Sequence, residues 1–179
     1  STSQRLDAQL LVGDARRNLC ALATPEVTLS ATPFAIRQEA PPAGLRVFAV
    51  SNALGLGVGI SDGLVGGVRS FPEGSYIQFS APVSPGSQGG ALLDEAGSLL
   101  GIIEYRHRSG QNVNFAAPAA WIGEMEARAA ADREENQRHE EAARLARDGR
   151  WTELKSLASG WTTTTPESPQ AWRFAAQAA

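Results

Sequence analysis

The sequence predicts an all-β barrel or sandwich followed by an α-helical region. Between residues 6 and 116, short runs rich in β-branched and aromatic residues alternate with glycine-containing turns, a pattern typical of antiparallel β-domains. No helical pattern separates those runs, although a parallel α/β sheet would need one. Residues 118–148 are rich in alanine, glutamate and arginine, which favour helices.

The predicted strands are short and closely spaced. They cover residues 6–12, 19–22, 45–51, 60–69, 75–80, 99–105 and 112–116, and a further strand-like run follows the glycine-rich turn at 86–90. Residues 75–80 (SYIQFS) alternate between apolar and polar, as a half-buried strand does. Residues 19–22 (LCAL) are apolar throughout, so we expect them to be buried. Ser109 and Gly110 predict a hairpin turn.

Three helices are predicted after the last strand, over residues 118–148, 150–159 and 170–179. Pro118 suits a first helical turn, Gly149 suits a helix end, and we expect Gly160 with the threonines after it to end the second helix. This order of helices and turns resembles a tetratricopeptide-like repeat, whose period is about 34 residues. We therefore expect a barrel portion at 1–118 and a helical segment at 119–179, with further repeats beyond the end of this sequence.

Three tryptophans, Trp151, Trp161 and Trp172, lie in the helical segment. We expect them to anchor the packing between helices, because a tryptophan side chain buries a large apolar area. Tryptophan is also favoured at protein interfaces, so a partner-binding groove is the alternative.

Composition and charge exclude several classes of function. Hydrophobic residues make up 42% of the chain and charged residues 20%, as in ordinary globular proteins. The net charge is −3 with no dense block of lysine and arginine, so we expect no nucleic-acid partner. No apolar run approaches the length of a membrane span. Cys20 is the single cysteine, and no cluster of ligands accompanies His107 or His139, so we expect no disulfide, no metal and no other cofactor. The sequence leaves the localisation open.

Residues 85–92 (PGSQGGAL) resemble the active-site loop of trypsin-like serine peptidases, especially of the HtrA-like branch, where the loop reads P-G-N-S-G-G-P-L. Five further segments resemble that family in the expected order: residues 47–57, 60–65, 76–81, 99–102 and 114–118. Residues 14–22 resemble the end of the family's first barrel. The resemblance implies an all-β trypsin-like fold with the second barrel and the end of the first, in a chain that begins after the strand holding the family's histidine.

The resemblance also places two changed residues at catalytic positions. Gln88 stands where the family has its nucleophilic serine, and Asn18 stands where it has the aspartate that orients the histidine. Neither His107 nor His139 lies where that histidine is expected. Acyl transfer by this mechanism needs a serine oxygen, a histidine base and a carboxylate. The resemblance therefore implies a site with no intact catalytic residue.

The loop keeps other features that the resemblance associates with binding. It implies that the N–H groups of Gly86 and Gln88 retain the shape of an oxyanion hole. Ser87 lies one residue before the nucleophile position. We expect it to be a turn serine that caps the local backbone, and a shifted nucleophile is the alternative.

Glu104, Tyr105 and Arg106 lie on the strand that the family uses to bind the substrate backbone. At position 104 the family has a small residue, often serine. Glu104 is therefore either an exposed strand glutamate or a carboxylate that points into the emptied site and accepts a hydrogen bond from Gln88.

These features favour an inactive homologue of HtrA-like serine peptidases. In that interpretation the chain is a scaffold that binds a protein or peptide partner through the barrel cleft or the helical segment. A functional serine endopeptidase, altered at Gln88 and Asn18, is one alternative. A structural oligomerisation module, in which the barrel is a spacer, is another.

Overall fold

The computed structural model of the protein describes residues 7–14, 16–24, 32–106 and 112–179. The side chains of Tyr105 and Arg106 lie outside the described part, as do His107 and the turn expected at Ser109 and Gly110.

A closed, six-stranded antiparallel barrel forms the centre of the β region. Its strands are β3 (Arg46–Ser51), β4 (Gly59–Phe71), β5 (Gly74–Phe79), β6 (Ala91–Asp94), β7 (Leu99–Arg106) and β8 (Asn114–Pro118). They follow the order β3-β4-β5-β8-β7-β6 around the barrel, and the pairing of β3 with β6 closes it. The predicted fold class, a β-barrel followed by a helical region, is confirmed.

A separate two-stranded sheet precedes the barrel. It pairs β1 (Gln9–Asp14) with β2 (Leu19–Ala23) in antiparallel register. The expectation that residues 19–22 are buried is wrong, because Cys20 and Leu22 are exposed and alternate with less exposed neighbours. Successive side chains of a strand point to opposite faces, so an apolar run in a lone hairpin is not covered on both sides.

The barrel interior follows from the two-residue period of its strands. Val47 and Ala49 of β3 are buried, as are Ile77 and Phe79 of β5. The rest of this core comes from Val65, Ala81, Leu92, Leu100, Ile103 and Ala116. Burial of each large apolar side chain contributes about 1.5–3 kcal/mol. This packed interior fixes the strand ends and therefore the loops that join them.

Three α-helices follow a short 3-10 helix at Ala119–Glu124. They are α1 (Met125–Arg147), α2 (Trp151–Thr164) and α3 (Pro169–Gln177). The chain divides into two compact units, Ser1–Glu126 and Ala127–Ala179. Trp121 of the 3-10 helix packs edge-on against Tyr76 of β5, with ring centroids 5.0 Å apart, which places that short helix with the barrel.

The expected end of the second helix is wrong. α2 continues through Gly160 to Thr164, because the buried Trp161 holds this turn in the core of the helical unit, and the threonine hydroxyls bond back to carbonyl groups of the helix. Thr163 donates to the Ser159 carbonyl over 2.9 Å, and Thr164 donates to the Gly160 carbonyl over 3.2 Å.

The tryptophans of the helical segment divide into buried and exposed residues. Trp161 is buried in the core of the helical unit and stacks on Phe174, as a packing anchor should. Trp151 and Trp172 are about half exposed, so the expectation that all three are anchors is wrong for these two. None of the described helices is long and apolar enough to cross a membrane.

Candidate functional site

Arg17 fixes the turn of the β1–β2 hairpin against the barrel. Its guanidinium pairs with Glu124 at 2.5 Å, donates to the Glu73 carbonyl over 3.3 Å, and lies 4.0 Å from the centre of the Trp121 ring. Its backbone N–H donates to the fully buried carboxylate of Asp14 over 3.2 Å. The turn is thereby held at a defined place on the barrel surface.

Asn18 follows Arg17 directly in that turn. Its backbone has a φ of 51°, in the left-handed region that asparagine and aspartate enter more readily than most other residues. The residue is exposed, and its side chain lies near enough to the Glu104 carboxyl group of β7 to lower the pKa of that group. The hairpin turn and β7 therefore meet at this pair of side chains.

Glu104 is a partly buried carboxyl group in an unfavourable environment. Burial raises the pKa of Glu104, and the charge of Glu73 raises it further, while hydrogen bonds from Tyr76 and Asn18 act in the opposite direction. Its Oε2 atom is buried and has no hydrogen-bond partner among the described residues. A carboxylate in such a place loses solvation that its neighbours only partly replace.

The glycine-rich loop has the backbone of a tight turn. Gly86 has a φ of 91°, a conformation that glycine adopts without strain. Gly90 lies so close to β3 that an added Cβ would stand 2.6 Å from the Val50 carbonyl oxygen. The loop is also bonded to β7, because Gly89 donates to the Ile103 carbonyl and Ile103 donates to the Gly90 carbonyl, both over 2.8 Å.

The side chain of Gln88 accepts a hydrogen bond from one of the two N–H groups that are expected to form an oxyanion hole. The Gly86 N–H donates to Gln88 Oε1 over 3.1 Å, so this N–H already has an acceptor within the loop. The N–H of Gln88 itself donates to no group in the described part of the chain. Of these two N–H groups, that of Gly86 is therefore bonded within the loop, and that of Gln88 has no acceptor in the described part of the chain.

Ser87 points into the molecule instead of the cleft. It is only 2% exposed. Its hydroxyl accepts a hydrogen bond from the Ser84 N–H over 3.2 Å and another from the Ser51 hydroxyl over 3.1 Å. This arrangement fits a serine that stabilises the turn.

The structure brings Glu104 together with Asn18, and not with Gln88. Among the described contacts there is no hydrogen bond between Gln88 and Glu104, since the glutamine turns back to Gly86 and the carboxyl group faces Tyr76 and Asn18. Sequence reasoning missed the role of Tyr76 and the Asp14–Arg17 anchor. The three-residue spacing of Asp14 and Arg17 before an asparagine was the available signal for that turn.

The closed, six-stranded antiparallel barrel, with a glycine-rich loop bonded to one of its strands, is like the barrel of trypsin-like domains. Residues 1–102, more than half of the chain, match the family described as trypsin-like peptidase domain, and the protein belongs to that family. Within it, the protein is similar to proteins of the HtrA branch.

Two curated relatives are peptidases of much greater length. The chain is 33% identical to Protease Do-like 1, chloroplastic, of Arabidopsis thaliana over 91 residues, which are 45% of this chain and 21% of that protein. It is 31% identical to a probable periplasmic serine endoprotease, DegP-like, of Pseudomonas fluorescens over 120 residues, or 63% of this chain and 25% of the relative. The chain therefore spans a fifth to a quarter of these proteins.

Solved structures share the fold. The inactive form of Rv3671c from M. tuberculosis H37Rv superposes with a TM-score of 0.62 over 70% of this chain and 66% of that one, at 20% identity. The HtrA-type protease AlgW with decapeptide gives a TM-score of 0.59 at 29% identity, over 66% of this chain and 39% of AlgW.

Proposed function

We propose that this protein is a catalytically inactive homologue of HtrA-like serine peptidases that binds an extended protein or peptide segment. One observation carries the proposal: the side chain at the nucleophile position is the Gln88 amide, and its oxygen accepts the Gly86 N–H. An amide is not a nucleophile towards a peptide carbonyl. The same side chain competes with a substrate carbonyl for a donor that oxyanion stabilisation needs.

The neighbouring serine does not replace the missing nucleophile. Ser87 is buried and bonded to Ser51 and Ser84, and no histidine base lies beside it among the described residues. Asn18, at the position of the orienting aspartate, carries no charge. These features support a site that retains a peptidase backbone without peptidase chemistry.

An exposed apolar row beside the loop supports binding of a protein segment. Leu56, Val58 and Ile60 are 84%, 81% and 71% exposed. The turn just before the row is bonded to the residue just before the glycine-rich loop, because the Leu54 N–H donates to the Pro85 carbonyl over 2.9 Å. Exposed apolar patches of this kind are typical of interaction sites. AlgW, a similar protein, is described with a decapeptide, which supports a peptide as the occupant.

The helical unit is proposed to be a tetratricopeptide-like segment that contributes a second protein-binding surface. Its core joins all three helices through residues such as Leu145, Leu154, Trp161 and Phe174. Helical repeats of this kind stack into extended binding surfaces. The half-exposed Trp151 and Trp172 are the side chains that we assign to that surface, since tryptophan is enriched at interfaces.

The proposal predicts binding without covalent reaction. Incubation of the full chain with a serine-reactive phosphonofluoridate should leave its intact mass unchanged, whereas a stoichiometric adduct would contradict the proposal. In parallel, fluorescein-labelled unfolded casein should gain anisotropy when the chain is added.

A pair of variants tests where the casein binds. Leu56→Ser should weaken binding by roughly 1 kcal/mol, about fivefold, as expected for an apolar side chain central to an interface. The matched variant Leu10→Ser changes an exposed leucine of the β1–β2 hairpin and should leave the affinity unchanged. Equal losses in both variants, or no gain in anisotropy with the parent chain, would contradict the assigned surface.

A further inference from the structure

We propose that a cavity in the barrel unit binds a small organic cation, namely one aromatic ring with a short arm that ends in an ammonium group. The cavity has a volume of about 220 Å³, and its walls are the segment 37–41, parts of β4, β5 and β7, and the 3-10 helix at Ala119–Glu124. None of the lining residues belongs to the glycine-rich loop or to the exposed apolar row beside it. The inference therefore goes beyond the proposed function and does not depend on it.

Apolar side chains form the floor of the cavity. Ile77 and Leu100 belong to the barrel core and are only 1% and 2% exposed, and Val68 and Trp121 line the cavity with them. Protein interiors contain few voids larger than a water molecule. A dry apolar cavity of about 150 Å³ is large enough to take up benzene. This cavity therefore has room for one aromatic ring and a short arm.

Three charged residues line the cavity in the described part of the chain, and two of them are paired with an opposite charge. Arg37 Nη1 lies 3.7 Å from Asp94 Oδ2, and Glu124 Oε2 lies 2.5 Å from Arg17 Nη1. Glu39 is exposed and has no ion pair or side-chain hydrogen bond with any described residue. The lining therefore has one negative charge that no neighbour balances.

The position of that charge selects the class of ligand. Glu39 belongs to the exposed segment that forms one wall, whereas Ile77 and Leu100 form the floor. A ring on the floor would direct a short arm towards the Glu39 carboxylate, which accepts hydrogen bonds from an ammonium group. A carboxylate on the same arm would meet Glu39 as a like charge, and it would have to compete with Asp94 for Arg37.

Three ligands of nearly the same shape test this assignment in the full chain at pH 7. They are phenethylamine, 2-phenylethanol and 3-phenylpropionate, each titrated while methyl signals are followed by nuclear magnetic resonance. Phenethylamine should shift the methyl signals of Ile77 and Leu100 and leave those of Leu154, in the helical unit, unchanged. Its affinity should exceed that of the alcohol about twofold to fivefold, as expected for an ion pair with an exposed carboxylate. The acid should bind more weakly than the alcohol.

A pair of variants tests the role of Glu39. Because the side chain is exposed and unpaired, Glu39→Gln should leave the fold intact and lower the affinity for phenethylamine about twofold to fivefold. The same variant should leave the affinity for 2-phenylethanol unchanged. Asp62→Asn is the matched control, since it removes the same charge from an exposed residue of β4 that does not line the cavity. It should alter neither affinity.

Three results would overturn the inference. They are methyl signals of Ile77 and Leu100 that do not shift with phenethylamine, an affinity for the acid that equals or exceeds that for the amine, and equal affinities of the parent and Glu39→Gln for phenethylamine. The first result is obtained on the unmodified chain and so does not depend on any variant. None of these measurements involves casein or the phosphonofluoridate, so this inference and the proposed function fail separately.

Discussion

At the scale of single residues, we propose that Gln88, Asn18 and Glu104 distinguish this site from that of an active peptidase. Gln88 Oε1 accepts a hydrogen bond from the Gly86 N–H, while Asn18 lowers the pKa of Glu104. The sequence identifies the positions of Gln88 and Asn18, because the glycine-rich loop and the hairpin turn each have a recognisable local pattern. The contact between Asn18 and Glu104 joins residues far apart in the chain, so no local pattern predicts it.

The raised pKa of Glu104 makes part of the stability of the fold depend on pH. A carboxyl group whose pKa is higher in the folded state than in the unfolded state binds more protons when folded. Stability from this group is therefore fully present below its ordinary pKa and is lost as the pH rises through its raised value. Burial is the largest cause of the shift.

We expect Glu104→Gln to remove the loss of stability that ionisation of Glu104 causes as the pH rises. The difference in free energy of unfolding between Glu104→Gln and the parent should shift in favour of the variant from pH 4 to pH 8, as followed by urea denaturation at several pH values. Glu73 and Tyr76 face the group in both proteins, so their own effects largely cancel in the difference. A difference that stays constant with pH would show that the environment of Glu104 does not penalise its charge.

At the scale of secondary-structure elements, most strands follow from alternation in the sequence. Residues 45–51 and 75–80 were predicted to be strands, and β3 and β5 occupy nearly the same residues. The end of α2 was not predictable in the same way. Glycine and threonine are poor helix formers, so helix propensity alone predicts that the helix ends at Gly160. The buried Trp161 on the next position supplies a tertiary contact that overrides this propensity.

Gly160 therefore lies inside a helix, where glycine lowers the stability of the fold relative to alanine. It is exposed, and an added Cβ would meet no atom within 4 Å. We expect Gly160→Ala to stabilise the helical unit by about 0.5–1 kcal/mol, because alanine has less backbone freedom to lose on folding. The helical circular-dichroism signal during urea denaturation measures the effect.

Gly149 provides the matched control for that substitution. Its φ is +68°, in the left-handed region that disfavours alanine by about 1–2 kcal/mol. Gly149→Ala should therefore destabilise the helical unit. The same sign of change at both glycines would contradict the assignment of Gly160 to the helix interior.

At the scale of the whole molecule, the chain combines a closed barrel unit and a helical unit, and we propose that it binds without cleaving. The fold was predictable because short strands, glycine-rich turns and a change in composition near residue 118 are all visible in the sequence. The state of the site was only partly predictable, since the occupation of the Gly86 N–H depends on the conformation of one exposed side chain.

Incubation of the purified chain with casein distinguishes a protein that only binds its partner from a peptidase. Unfolded, fluorescein-labelled casein is incubated with the chain, and release of labelled fragments is followed by gel electrophoresis, with trypsin as the positive control. We expect intact casein that is bound by the chain but not cut. Fragments that appear in proportion to the chain's concentration, and that disappear with a serine-reactive inhibitor, would contradict it.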